Sequence, residues 1–451
     1  MSGKRVLVVG LGVSGFSVAK ALVELEAKVR VTEGSDTPVV RQRAQHLQSL
    51  SVEVEYGGHD LEQLDADLAV ISPGIPPSAP VALAIAQQGI ESWSEVELAY
   101  RLAECDFLAV TGTNGKTTTT SLLASILEES GVPTVAAGNI GFPLIDAIAA
   151  VGPDGAIALE VSSFQLVATE RFRPKVAVLL NIAEDHTDWH GSFAAYTDAK
   201  ARLVLNQTPE DVFLPNAGDT PAMGIADRAR SRIVPFSGET IPAGGIGVRG
   251  GRVVWRDHDV IDVGDVSLPG VAGLEDAVAA AGAALEYGID VRAVGRAIRS
   301  FRPLAHRLEL VASSDGIDYI DDSKATNPHA TLAALRGLSN VVLIAGGRSK
   351  GIDLTPLANA APSLIAIVAL GEAKEELQRV FADLVPVELV DSMDEAVRAA
   401  ARRSVAGGSV LLSPGCASLD MYEGYAARGE DFARAVGAML KHPERGLDGN
   451  A

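Results

Sequence analysis

Cysteine is nearly missing: Cys105 and Cys416 are the only two among 451 residues. Two distant thiols supply neither a disulfide framework nor a paired Cys-x-x-Cys metal or redox site. Aromatic residues are also few, at 5%, while Ala, Val and Gly abound, a composition that suits layered α/β structure. Positive charge is short: 38 Lys and Arg face 58 Asp and Glu, a formal net charge of −20. That balance argues against a general nucleic-acid or anionic-membrane surface, both of which need a basic face. It does not exclude small anionic substrates, because a local cluster of cations and helix N-termini overrides net charge. Long apolar runs are missing as well. No window approaches 18 uninterrupted apolar residues, so no membrane span is expected. The start, MSGKRVLVVG, is basic, but its apolar run stops at a glycine. It reads as a first β-strand rather than a signal peptide, and a cytoplasmic protein is expected.

The chain that remains is 47% hydrophobic and 21% charged, as a folded globular protein is. Its length calls for two to four domains. RVLVV (5–9) predicts a buried strand, GLGVSG (10–15) a glycine loop, Phe16 to Leu25 a helix, and Lys28 to Thr32 a second strand ending at Glu33. This is close to the Rossmann pattern. DLAVISPGIPP (67–77) predicts another strand running into a Pro/Gly loop, and the first domain ends near Trp93. FLAVTGTNGKTTTTSLLASILEESG then opens a second strand–loop–helix unit, with further strands at 156–160 and 176–181. Residues 206–270, rich in Gly, Pro and short β-like pieces, predict an antiparallel excursion. An Ala-rich helix over Glu275 to Tyr287 closes the domain. A third unit opens near FRPLAHRLEL, with strands at 317–320, 341–345, 364–370 and 410–413. The expected fold class is α/β in three domains: a Rossmann-like N-terminal domain (1–93), a central P-loop-type ATPase domain (94–302) and a C-terminal Rossmann-like α/β domain (303–451).

Chemistry concentrates at predicted strand ends, where parallel α/β sheets bind ligands. TGTNGKTTTT (111–120) lies between a strand and a helix. Its glycines let the backbone wrap an anion, and the helix N-terminus adds partial positive charge. Lys116 reaches for β- and γ-phosphates, and the Thr117 hydroxyl suits Mg²⁺. The spacing is short, with only two residues between Gly112 and Gly115, where the common phosphate loop has four between its glycines. Glu160 ends a strand in EVSSFQL, a position from which a carboxylate can ligate Mg²⁺. NIAEDHTDWH (181–190) places Asn181 at a strand end and His186 in the acidic loop after it, and Lys200 follows in a helical context. DDSKATNPHAT (321–331) puts acid, hydroxyl, amine and amide groups into one loop, a density typical of binding. AGGRSKGID (345–353) is a Gly-rich loop suited to a carboxylate, and LLSPGCASLDMYEGY again puts polar groups after a strand.

Taken together, TGTNGKTTT, EVSSFQL, DHTDWHGSFAAYTDAK, His306–Arg307, DDSKATNP and LLSPGCASLD resemble the Mur ligases, ATP-dependent amide-bond formers of bacterial cell-wall synthesis. The resemblance runs along essentially the whole chain in order. GLGVSG, SPGIP, EVSSFQL, DSKATN and LLSPGCASLD bring it nearest to the members that add D-glutamate. It implies ATP, UDP-N-acetylmuramoyl-L-alanine and D-glutamate as ligands, and two Mg²⁺ sites. Gly112, Thr113, Asn114, Gly115, Lys116, Thr117, Thr118, Asn139, Asp276, Arg307, Asp322 and Lys324 would serve ATP. Thr117 and Glu160 would hold one Mg²⁺. His186 and Lys200 would serve the second, with Lys200 carbamylated by CO₂ so that an ammonium becomes an anionic oxygen ligand. Lys350, Thr326, Ser418 and the backbone near Tyr425 would hold the D-glutamate carboxylates. Ser14, Glu33, Ser72, Pro73 and Gly74 would line the UDP-sugar site. The two glycine loops then divide the work: the second takes ATP, the first the diphosphate of the UDP-linked substrate. Closure of the third domain before chemistry is expected.

Two stretches depart from that pattern. AGLEDAVAA stands where the family has H-N-x-x-N-x-x-A-A, so Asp276 replaces an adenine-contacting amide, and an ionised Asp cannot donate the same hydrogen bond. EGSD (33–36) reproduces an acid at the second strand's tip but not the residues after it. The competing readings are a sister ligase adding another amino acid or extending folate with glutamate, an inactive nucleotide-binding homologue, and an NAD-dependent oxidoreductase using Gly10 to Gly15. The last leaves TGTNGKT, DSKATN and GGRSK without a purpose. Nothing in the sequence marks a subunit interface, and a monomer is expected.

Overall fold

A computed structural model describes residues 1–62, 64–349 and 351–441. The first sheet comprises β1 (Arg5–Val9), β2 (Lys28–Glu33), β3 (Glu53–Tyr56), β4 (Leu68–Ile71) and β5 (Glu91–Trp93), in spatial order β3-β2-β1-β4-β5. Every pairing is parallel. Parallel strands are covered on both faces, so they read as continuous apolar runs, and Val6 to Val9 are all buried. The first helix starts at Val13, earlier than the apolar period from Phe16 suggests. Its first turn includes Gly15, which lies so close to Gly10 that a Cβ would come within 2.0 Å of the Gly10 carbonyl oxygen. The apolar period cannot register a turn built on glycine.

The central sheet comprises β6 (Asp106–Thr111), β7 (Thr134–Gly138), β8 (Ala156–Glu160), β9 (Val176–Leu179), β10 (Val212–Pro215) and β11 (Arg232–Ile233), ordered β11-β10-β9-β6-β8-β7. It too is parallel throughout. Only part of the expected antiparallel excursion is antiparallel. β10 is buried at every position and runs alongside β9, so it belongs to the central layer. The antiparallel piece is β12 (Ile246–Arg249), β13 (Arg252–Trp255) and β14 (His258–Asp262). The Ala-rich helix starts at Gly270, earlier than expected, and runs to Tyr287.

The last sheet comprises β15 (Glu309–Ser314), β16 (Ile317–Asp321), β17 (Val341–Gly346), β18 (Leu364–Leu370), β19 (Val387–Leu389) and β20 (Ser409–Leu412), ordered β15-β16-β20-β17-β18-β19. β15 is antiparallel to β16 and the other pairings are parallel. The three-domain α/β organisation is therefore present as three largely parallel sheets. By compactness the chain forms two units. One holds 1–182, 186–265 and 276–300; the other holds 183–185, 266–275 and the chain from Phe301 onward. No helix among the described residues is long and apolar enough to cross a membrane.

Candidate active site

β6 ends in Thr111, and the chain turns through Gly112 to Gly115 into the helix Lys116–Glu129. Gly115 caps that helix in the left-handed region, at φ 83°. A Cβ there would also meet the Asp276 carboxylate oxygen at 2.3 Å. Asn181, two residues beyond β9, anchors the loop. Its Oδ1 accepts from the Thr113 and Asn114 N–H groups (3.1 and 2.9 Å), and its carbonyl accepts from Thr113 N–H at 2.9 Å. Tyr196 Oη lies 3.0 Å from Thr113 Oγ1. Neither residue was assigned a role from sequence. An amide at a strand tip, and a tyrosine one helical turn before Lys200, are the signals that could have singled them out.

Two lysines converge on this loop. Lys116 Nζ donates to the carbonyls of Gly112 and Thr113 (2.9 and 2.8 Å). Lys200, 2% exposed, donates to the same Gly112 carbonyl at 2.8 Å and lies 4.7 Å from the Tyr196 ring centroid. His186 adopts φ 53° at the N-cap of the short helix Thr187–His190. Its ring meets Phe164 edge-on with centroids 4.7 Å apart, and Tyr196 lies beyond at 6.4 Å.

Glu160 ends β8 and is buried. Asn139 Nδ2 donates to its Oε1 at 2.8 Å, whereas Oε2 is buried with no hydrogen-bond partner among the described residues. An orphaned carboxylate oxygen is costly, and it is what a hard divalent cation requires. The residues present therefore fit a Mg²⁺ ion. Asn139, expected at ATP, here faces that carboxylate. Asp276 accepts from Thr119 Oγ1 at 3.1 Å, so the acid that departs from the family pattern packs behind the glycine loop.

The first glycine loop is held differently. Glu33 Oε2 accepts from Leu11 N–H at 2.7 Å, and its Oε1 accepts from Ser35 N–H and Oγ. Burial pushes this carboxyl up, but those donors together hold it below the usual range. Ser14 donates to the buried Glu95, which also accepts from Leu144 N–H at 2.8 Å. Burial nevertheless raises the Glu95 carboxyl. A cleft of about 400 Å³ opens beside this loop, lined among others by Ser72, Pro73, Trp93, Phe164, Trp189 and Arg202. Gly74 lines a second hollow next to His59.

In the unit from Phe301 onward, the turn His306–Arg307–Leu308 folds onto the loop after β16. His306 Nδ1 lies 2.7 Å from Asp321 Oδ2. Both His306 and Leu308 have positive φ, a sparsely populated backbone that the surrounding contacts must hold. Asp322 is pushed up to about 7, mainly by burial. The Ser413 hydroxyl at 2.8 Å, the Arg307 charge and Leu308 N–H act against that rise. Lys324 Nζ lies 3.8 Å from the Tyr425 ring centroid. Ser418 is buried and Thr326 half-buried. Lys350, expected at the amino-acid carboxylates, lies outside the described residues.

Residues 4–94 match the MurD-like Mur ligase N-terminal domain, 110–284 the Mur ligase middle domain, and 306–416 the Mur ligase glutamate ligase domain. The chain belongs to the Mur ligase family. It is 43% identical to the UDP-N-acetylmuramoylalanine--D-glutamate ligase of Frankia casuarinae, over 97% of this chain and 94% of that one. It is 41% identical to the protein of the same name from Thermobifida fusca, over 97% and 99%. Among solved Mur ligase structures, UDP-N-acetylmuramate-alanine ligase from Thermotoga maritima aligns over 97% of this chain and 99% of its own, with a TM-score of 0.58 at 19% identity. MurF from Acinetobacter baumannii aligns over 97% and 93%, with a TM-score of 0.61 at 16% identity. At those identities the structures speak for the Mur ligase fold alone. As a Mur ligase the chain is an ATP-using enzyme, and the oxidoreductase reading falls.

Proposed function

We propose that this Mur ligase joins D-glutamate to UDP-N-acetylmuramoyl-L-alanine at the expense of ATP, in peptidoglycan precursor synthesis. The observation that carries the reading is the similarity, over nearly their full length, to relatives that bear one and the same name. A carboxylate is a poor acyl donor. Its oxygen therefore attacks the γ-phosphorus of ATP, the bond to ADP breaks, and an acyl phosphate forms. The D-glutamate amine adds to that carbonyl and loses a proton. The tetrahedral intermediate expels phosphate and leaves the amide. No protein nucleophile is required.

Most of the work is charge placement. Lys116 swings from the Gly112 and Thr113 carbonyls onto the phosphates, which the N–H groups of Thr113 to Thr118 cradle. Thr117 and Glu160 would hold one Mg²⁺, and His186 with a carbamylated Lys200 would serve the second. Bound Mg²⁺ offsets the repulsion between the entering carboxylate and the phosphates. Asn139, Asp276, Arg307, Asp322 and Lys324 serve the nucleotide. Ser14, Glu33, Ser72, Pro73 and Gly74 line the UDP-sugar site, and Thr326, Lys350, Ser418 and the Tyr425 backbone hold D-glutamate. Ser72 and Arg202, polar residues in the otherwise largely apolar and aromatic wall of the cleft, support the placement of the sugar nucleotide. A cytoplasmic monomer is the working form in this reading.

Phosphate release is measured with ATP, Mg²⁺ and UDP-N-acetylmuramoyl-L-alanine, adding D-glutamate, L-glutamate, L-alanine or a diamino acid in turn. Release is expected with D-glutamate alone. Release with another acceptor would move the protein to a sister activity, and none with any acceptor would make it an inactive homologue.

A further inference from the structure

Arg428 lies in the helix Tyr425–Lys441, where a sequence reader sees an ordinary basic residue on an amphipathic helix. It is among the largest fully buried side chains, 2% exposed. Among the described residues its guanidinium forms no ion pair with a carboxylate; it is spent on loops. Nε donates to Ser323 Oγ at 2.9 Å and Nη2 to the Ser323 carbonyl at 2.8 Å. Nη1 donates to the Cys416 carbonyl at 3.1 Å and the Gly346 carbonyl at 3.4 Å. Ser323 follows β16, Gly346 ends β17 and Cys416 follows β20, and these three strands are neighbours in the order β16-β20-β17. One side chain therefore ties together the loops leaving three adjacent strands at their C-terminal ends. The network also reaches Tyr425, whose carbonyl accepts from Ser323 Oγ at 2.8 Å. Burial lowers the guanidinium to about 10, so it stays charged at neutral pH.

Burying an unpaired cation is costly. A neutral side chain would spare that cost, unless the planar fork of donors or the charge itself serves a purpose. The residues read here as amino-acid ligands are close in sequence to the tied atoms. Thr326 follows Ser323, Ser418 follows Cys416, and Tyr425 precedes Arg428 within the same helical turn.

We infer that Arg428 is a positioning residue for the amino-acid substrate: it fixes the relative placement of the three loops that grip the dicarboxylate, and it adds a buried positive charge beneath them. This rests on the proposed D-glutamate-adding activity. Arg428→Lys keeps the charge but loses the planar fork; Arg428→Gln also loses the charge. KM is measured for each substrate, with Tm as a check on folding. Arg428→Lys is expected to raise KM for D-glutamate at least about tenfold, while KM for UDP-N-acetylmuramoyl-L-alanine stays within about twofold. Arg428→Gln is expected to raise it further. Should the Arg428 variants fail to fold, Ser323→Ala, which removes one hydroxyl from the same network, carries the test with a smaller expected rise of about threefold or more. Equal changes in every KM, or none, would overturn the inference. Wild-type enzyme that prefers another amino acid strikes the functional reading instead, and the same split is then read with that acceptor.

Discussion

At the scale of single residues, Glu160 is the sharpest point of the central site. One of its oxygens is satisfied by Asn139, and the other is buried without a partner among the described residues. A residue kept for stability would not carry that cost. Glu160→Gln retains an acceptor for Asn139 and removes the charge. The expected result is a protein whose metal-free Tm is unchanged or higher, because a buried charge has gone. The rise in Tm on adding Mg²⁺ and ADP is expected to vanish, and turnover to fall about 100-fold or more. An intact Mg²⁺-dependent rise would remove Glu160 from the metal site. The places of Lys116, Thr117 and Glu160 at the ends of elements were legible in the sequence, because the apolar pattern reveals the direction of each element. Arg428 was not legible. Its partners are one hydroxyl and three main-chain carbonyls in three distant loops, and no local pattern encodes such partners.

At the scale of elements, the helix Lys116–Glu129 depends on how its N-terminus is made. Gly115 meets two separate constraints, its positive φ and the Asp276 carboxylate against which a Cβ would press. Gly115→Ala incurs both, at about 1–3 kcal/mol of stability in total. Asp276→Ala removes only the second. A double-mutant cycle should therefore show favourable coupling of about 1 kcal/mol between the two changes, read by denaturant unfolding. Strict additivity would mean that Asp276 does not pack on the loop. The glycine loop itself was evident from the sequence, because GK followed by threonines between a strand and a helix is a local signal. The direction of β10 was not. Four buried residues look alike in a parallel and an antiparallel strand, and only the neighbour, β9, decides. The early starts of the helices at Val13 and Gly270 were missed for a related reason: glycine-rich first turns carry no apolar period.

At the scale of the molecule, the cores divide the chain less evenly than the sheets do. A single apolar cluster contains Val18 and Leu22 of the first domain, Trp93, Val96 and Leu98 at the junction, and Phe107, Leu144 and Phe172 of the central domain. The third domain has its own clusters on the two faces of its sheet, around Val342, Ile344 and Phe432 on one side and Leu343, Leu357 and Phe381 on the other. Cooperative unfolding follows the core rather than the sheet, because contiguous packing is what couples elements. The first two domains should therefore melt together and the third separately, giving two calorimetric transitions. Leu98→Ala tests this, since Leu98 is buried within the shared cluster. A large-to-small change in a core costs about 2–5 kcal/mol, which for a unit of this size lowers one transition by roughly 5–10 °C. The other should stay within about 1 °C. If Leu98→Ala moves both transitions, or if the wild-type protein melts in one, the division of the core does not govern its unfolding. Movement of one transition alone would mean that the N-terminal and central domains are a single folding unit, so that a destabilising change in either weakens both glycine loops.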